Sequence, residues 1–155
     1  MAKPKLEPHL YRGYPLLLTQ LRHLVRLSAQ DANIGALILY GSLARLTPHE
    51  SSDVDLLVLC QEPQAFIDAE EASGRGMYMI VEVTHPAEVW SLAPQVTDMQ
   101  ASDLSPVLLA NIAHDGVLLY QRGGATLPPA LAKLVPQERW MERVQRLLSA
   151  SLTVS

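Results

Sequence analysis

Cysteine is almost missing from this chain. Cys60 is the single one, which rules out an intrachain disulfide and any cysteine-based zinc cluster and fits a reducing compartment. Positive charge is also scarce. Twelve Lys and Arg stand against sixteen Asp and Glu, a formal net charge of -4, and that balance argues against extended nucleic-acid binding and against a processive polymerase. Nor does any apolar run approach the roughly 20 residues needed to cross a bilayer. Even the stretch from Leu104 to Tyr120 is interrupted by Pro106, Asn111, His114 and Asp115. Residues 1–15 carry three prolines and scattered charge without the apolar centre of a signal peptide. These absences lead to the expectation of a cytoplasmic protein with no membrane partner and a flexible lead-in over residues 1–14.

What is present suffices for one hydrophobic core and hardly for two, at 155 residues and 48% hydrophobic content. A single domain over residues 15–150, followed by a short tail at 151–155, is the expected organisation. From Leu16 to Ser28 the residues Leu17, Leu21, Leu24, Val25 and Leu27 recur at helical spacing. Ala36 to Tyr40 and Val54 to Cys60 are short, nearly continuous apolar runs of the kind buried strands show. Between them, Ser42 to Arg45 suits a helix start and Thr47 to Ser52 a turn-rich loop. Pro63 to Ala72 reads as a helix with proline in its first turn, and Met77 to Val83 as a third strand.

Further along, Pro86 to Leu92 suits one or two helical turns. Asp103 to His114 is a helix capped by Ser102, and Val117 to Tyr120 a fourth strand. Gln137 to Ala150, with Trp140, Val144, Leu147 and Leu148 on one face, is a final amphipathic helix. There are no internal repeats. Helices alternating with buried strands place the fold in the α/β or α+β class, a small sheet covered by helices.

The chemistry concentrates at Asp53 and Asp55. They lie two apart at the start of an apolar strand, and a period of two turns both side chains to one face. Two carboxylates so close, beside a hydrophobic sheet, repel each other unless a cation neutralises them, and hard oxygen ligands favour Mg2+ or Mn2+. A lone Asp-x-Asp pair is weak evidence, since most such pairs are a turn cap and a solvated strand end. Gly41-Ser42 at the end of the preceding strand adds weight, because glycine admits close backbone approach and the following amides suit an anion.

The string GSLARLTPHESSDVDLLV, with ten residues between Ser42 and Asp53, resembles the signature of polymerase-β-like nucleotidyltransferases. The resemblance is strongest from Ala36 to Cys60. It implies that Gly41 and Ser42, with Arg45 and Ser52 beside them, hold a nucleoside triphosphate, ATP by first choice, and that Asp53 and Asp55 bind the catalytic metals. It also implies a third carboxylate on a neighbouring strand, for which Glu82 is the acidic residue within the third expected strand. Glu82 departs from the more frequent aspartate by one methylene. Leu46 stands where many relatives carry glycine, and it stiffens the turn. Arg45 suits either neutralising triphosphate charge or holding the loop through Glu50 or Asp53.

Among the histidines, His49 alone lies in the loop leading to the aspartates; His9, His23, His85 and His114 are scattered. Trp90 and Trp140 read as packing residues. Only residues 84–155 follow the third expected strand, and that brevity is similar to stand-alone minimal nucleotidyltransferases that act as antitoxins, nucleotidylating a small helical toxin partner. An inert binder of the same fold and a transferase for a small hydroxylated molecule, its acceptor cleft completed by dimerising, stay open beside that reading. An unrelated magnesium phosphatase fits less well, because Leu56-Leu57 replaces the small-residue turn expected after its second aspartate.

Overall fold

The structure, a computed structural model, describes residues 13–49, 51–73 and 92–153. Within them the order is α1 (Tyr14–Gln30), β1 (Ile34–Tyr40), β2 (Val54–Cys60), α2 (Pro63–Ser73), β3 (Leu92–Asp98), α3 (Pro106–Asp115), β4 (Val117–Gln121), a 3-10 turn (Pro129–Leu131), β5 (Val135–Pro136) and α4 (Gln137–Thr153). The five strands form one mixed sheet in the order β3-β2-β1-β4-β5. β1 is antiparallel to both β2 and β4, while β3 runs parallel to β2 and β5 parallel to β4. The α/β expectation holds.

β1 and β2 are apolar apart from Asp55 near the start of β2 because both of their faces are covered. On one face Leu37, Leu39, Leu56 and Val58 pack with Leu17, Leu21 and Leu24 of α1 and with Trp140 and Val144 of α4. On the other, Ala36, Ile38, Leu57 and Leu59 pack with Ile112 of α3 and with Leu131. Alternation with polar residues would put polar groups into one of these two cores. Each fully buried leucine contributes about 1.5–3 kcal/mol, so the central strands anchor the fold.

Several expectations are corrected here. The sheet includes β3 where the sequence pointed to helical turns ending at Leu92 and to nothing regular beyond. Pro94 and the polar Gln95 and Thr97 disguise it. An edge strand tolerates proline because one of its sides needs no ladder hydrogen bonds. The third strand expected at residues 77–83, with the turns expected at 86–91, lies outside the described residues. α3 begins at Pro106, capped by Ser105, whose hydroxyl accepts from the Leu108 amide at 3.1 Å. Ser102 instead bonds to Asp98 through both its backbone amide and its hydroxyl.

No helix among the described residues is long and apolar enough to cross a membrane. Cys60 is buried, and burial pushes its thiol up to about 12. It is held as an inert core side chain.

Two buried hydrogen bonds tie the outer helices to the turn that follows β1. The Tyr14 hydroxyl donates to the Leu43 carbonyl at 2.9 Å, and Trp140 Nε1 donates to the Ala44 carbonyl at 2.9 Å. Trp140 is 1% exposed. Trp140→Ala should therefore cost about 3–5 kcal/mol. Trp140→Phe, which keeps most of the packing but orphans the Ala44 carbonyl, should cost about 1–3 kcal/mol. Urea titration followed by circular dichroism reads both; a Trp140→Phe protein as stable as wild type would mean that the hydrogen bond contributes nothing.

Candidate functional site

The turn after β1 is set by two left-handed residues. Gly41 has φ +82° and Leu46 φ +64°. Between them the chain makes one tight turn, with Arg45 N donating to Gly41 O at 3.0 Å and Thr47 N to Ser42 O at 3.0 Å. The helix start expected at Ser42 does not develop into a helix, because Leu46 leaves the helical region. Its positive φ also gives a backbone reason why glycine suits that position.

Gly41 is required for a second reason. A Cβ there would stand 2.2 Å from Asp55 Oδ2 and 3.1 Å from its Cγ. The glycine therefore lets the turn close against the carboxylate of the neighbouring strand. Tyr40 is the cross-strand partner of Asp55, which fixes the register that brings turn and carboxylate together.

Asp53 ends the loop just before β2, and Asp55 is the second residue of that strand. Asp53 is exposed and Asp55 half-buried. Burial and then the charge of Asp53 push the Asp55 carboxyl above its ordinary pKa, with Arg45 opposing. Burial and Asp55 push the Tyr40 phenol up as well. The loop leading to the aspartates is knitted by Ser52. Its hydroxyl lies 2.7 Å from that of Ser42 and accepts from the His49 amide at 2.9 Å, while the Ser52 amide donates to His49 O at 2.9 Å. Both serines are buried, so this pair fastens the turn after β1 to the loop before β2.

These residues line an open cleft of about 460 Å³. Gly41, Ser42, Arg45, Ser52, Asp53 and Asp55 are all on its wall, and His49 joins them. Glu82 lies outside the described residues. Sequence reasoning missed the opposite wall, formed by Leu108, Asn111 and Asp115 of α3, and missed Tyr40. The spacing of the three α3 residues, i, i+3 and i+7, puts them on one helical stripe, and was the available signal.

Arg45 finds a partner the sequence did not suggest: its Nη1 donates to Asp115 Oδ2 at 2.8 Å, across 70 positions of sequence, while Glu50 lies outside the described residues. Burial works to raise the Asp115 pKa, but hydrogen bonds from His114 and Arg45 and their charge outweigh it and hold the carboxyl below its usual range.

β3 sets Ala93 beside Asp55 and Gln95 beside Leu57. Its one acidic residue, Asp98, is at the far end, opposite Cys60. Among the described residues no group of three His, Cys, Asp or Glu is placed to hold a metal. Asp53 and Asp55 still fit Mg2+, which is commonly held by one or two carboxylates, with waters and substrate phosphates completing the octahedron. The charge that lifts the Asp55 pKa is what such an ion would neutralise.

The family model for polymerase β nucleotidyltransferases matches residues 23–124, well over half of the chain, and the chain belongs to that family. The family match makes it a nucleotidyltransferase. No curated protein matches. Solved structures align with the chain at low identity. A toxin–antitoxin complex with AMP-PNP aligns at 16% identity over 88% of this chain and 93% of its own, with TM-score 0.44. The complex of a tri-AMPylated Shewanella oneidensis HEPN toxin with its MNT antitoxin aligns at 14%, over 90% and 93%, with TM-score 0.41. A candidate nucleotidyltransferase of Sulfolobus solfataricus aligns at 19%, over 81% and 98%, with TM-score 0.44. The family assignment rests on the sequence match.

Gly41→Ala should lose about 1–2 kcal/mol from the left-handed backbone alone and displace Asp55 as well. Denaturant titration would show the loss, and a neutral result would mean that the turn relaxes without cost. The raised Asp55 pKa gives a second expectation. A folded-state pKa above the unfolded value means stability that is present at low pH and lost as pH rises through the folded value. Metal-free Asp55→Asn should therefore melt higher than wild type at pH 7, and the gap should close on acidification through the raised carboxyl range. A variant that melts lower at pH 7 would show that Asp55 is not under repulsion.

Proposed function

We propose that this nucleotidyltransferase is metal-dependent and moves a nucleoside monophosphate from a nucleoside triphosphate, ATP by first choice, to a hydroxyl on a partner protein, as the antitoxin of a toxin–antitoxin pair. The observation that carries the reading is the closure of the Gly41 turn on Asp55, which sets a tight backbone turn directly against a repelling carboxylate pair. Asp53 and Asp55 would hold Mg2+ or Mn2+. The ion supplies charge neutralisation at the triphosphate and a lower pKa for the attacking hydroxyl.

The protein's own groups supply placement. Gly41 and Ser42 form the floor for the phosphates, and the Ser42–Ser52 contact keeps that floor in register with the aspartates. Arg45 adds a guanidinium at the rim, whose fork suits phosphate oxygens. The apolar strands behind Asp55 restrict water on one side, which strengthens each charge interaction. The partner-protein reading draws on the surface beside the cleft. Val107 of α3, 72% exposed, adjoins the cleft residue Leu108. An acceptor hydroxyl presented on a polypeptide can use such a side chain as an apolar contact.

A second reading has its own support. β3 brings Ala93 and Gln95, and no carboxylate, to the strand positions nearest Asp55 and Leu57. Among the described residues the site has two carboxylates, an arrangement that suits a nucleotide-binding but inert antitoxin that neutralises its partner by contact.

Calorimetric titration with AMP-PNP, with and without Mg2+, separates these from no nucleotide function at all. Wild type should bind only with Mg2+, and Asp53→Ala should bind at least tenfold more weakly, the loss of one charge-assisted contact of roughly 1.5–3 kcal/mol. Incubation with ATP and the partner should then add the mass of one or more nucleotide units to the partner. Binding without a mass shift, together with an Asp53→Ala protein that still neutralises the partner, would favour the inert antitoxin.

A further inference from the structure

Asp115 is out of place by helix electrostatics. It is the last residue of α3, followed by Gly116 at the C-cap, where the helix dipole presents its negative end and a carboxylate is repelled. Its side chain is nonetheless only 11% exposed. Both of its oxygens are engaged, Oδ2 by Arg45 Nη1 at 2.8 Å and Oδ1 by His114 Nδ1 at 2.8 Å. Stability is a weak reason for the arrangement, because Arg45 is 47% exposed and ion pairs at that exposure stabilise little. A metal-ligand role fits poorly as well, since both oxygens already accept hydrogen bonds from cationic or polar donors.

What the pair does is hold an arginine at the edge of the cleft that also contains Asp53 and Asp55. Arg45 is close enough for its charge to be felt at Asp55. An untethered guanidinium would be drawn onto that carboxylate pair and would compete with a divalent cation there. We propose that Asp115 is a positioning residue of the nucleotide site, restraining the Arg45 guanidinium at the rim, away from the metal-binding carboxylates and toward the triphosphate. The inference rests on the nucleotide-binding reading above.

A double-mutant cycle in Mg2+-dependent AMP-PNP binding tests it. Asp115→Ala should weaken binding roughly tenfold, the size of one charge-assisted contact, with a melting temperature close to wild type. In an Arg45→Ala background the same substitution should have no further effect, because there is no guanidinium left to misplace. Asp115→Glu, which keeps the charge, should recover part of the loss. Equal losses in both backgrounds, or wild-type affinity in Asp115→Ala, would overturn the proposal while leaving the nucleotide site intact. Absence of Mg2+-dependent binding by wild type to AMP-PNP and its guanosine, cytidine and uridine counterparts would overturn the functional reading and this inference together.

Discussion

Two carboxylates have to be held side by side at the end of a strand that is otherwise apolar, against their mutual repulsion and against partial loss of hydration. Most of the architecture around the cleft follows from that requirement. β2 supplies a rigid platform because both its faces are buried, so Asp55 cannot swing away without disturbing a packed core. The antiparallel neighbour β1 ends at Tyr40, directly opposite Asp55. The turn that follows must then pass within contact distance of the carboxylate, and only a residue without Cβ fits there. Glycine at 41 is thus a consequence of aspartate at 55 as much as of any ligand.

The same requirement explains why distant segments converge on the turn between Gly41 and Leu46. Tyr14 from α1 and Trp140 from α4 donate to its carbonyls, Ser52 grips it from the following loop, and Asp115 takes the guanidinium of Arg45. A left-handed leucine at 46 is unfavourable by itself, by about 1–2 kcal/mol. Such a conformation persists when its surroundings over-determine it, and here buried hydrogen bonds come from both outer helices. Leu46 also packs against the larger of the two apolar clusters, which offsets part of the strain.

The central features were legible in the sequence because they are local. Apolar runs without alternation marked β1 and β2 as strands buried on both faces, and the spacing of Gly41-Ser42 from Asp53 and Asp55 located the cleft. Elements at the margin were not legible. β3 carries Pro94, Gln95 and Thr97, and its strand character comes from its position at an edge beside β2 rather than from its own composition. The cap of α3 is similar: Ser102 is the expected one, but Ser105 can cap as well and only the chain path decides. The role of Asp115 depended on a contact across 70 residues, which no local pattern encodes. The fold was therefore readable from its centre outward, and one wall of the cleft was readable without the other.

The electrostatics of the cleft also bear on how binding and folding are linked. Without a cation, Asp55 is ionised at a cost in the native state that is largely absent in the unfolded chain, where the two carboxylates are hydrated and apart. A divalent ion and a triphosphate that bound only the folded chain would remove that cost and add RT ln(1 + [L]/Kd) of stability, about 2.7 kcal/mol at a hundredfold excess over Kd. The empty cleft is consequently a cost to the native structure, and a filled one would be a source of stability.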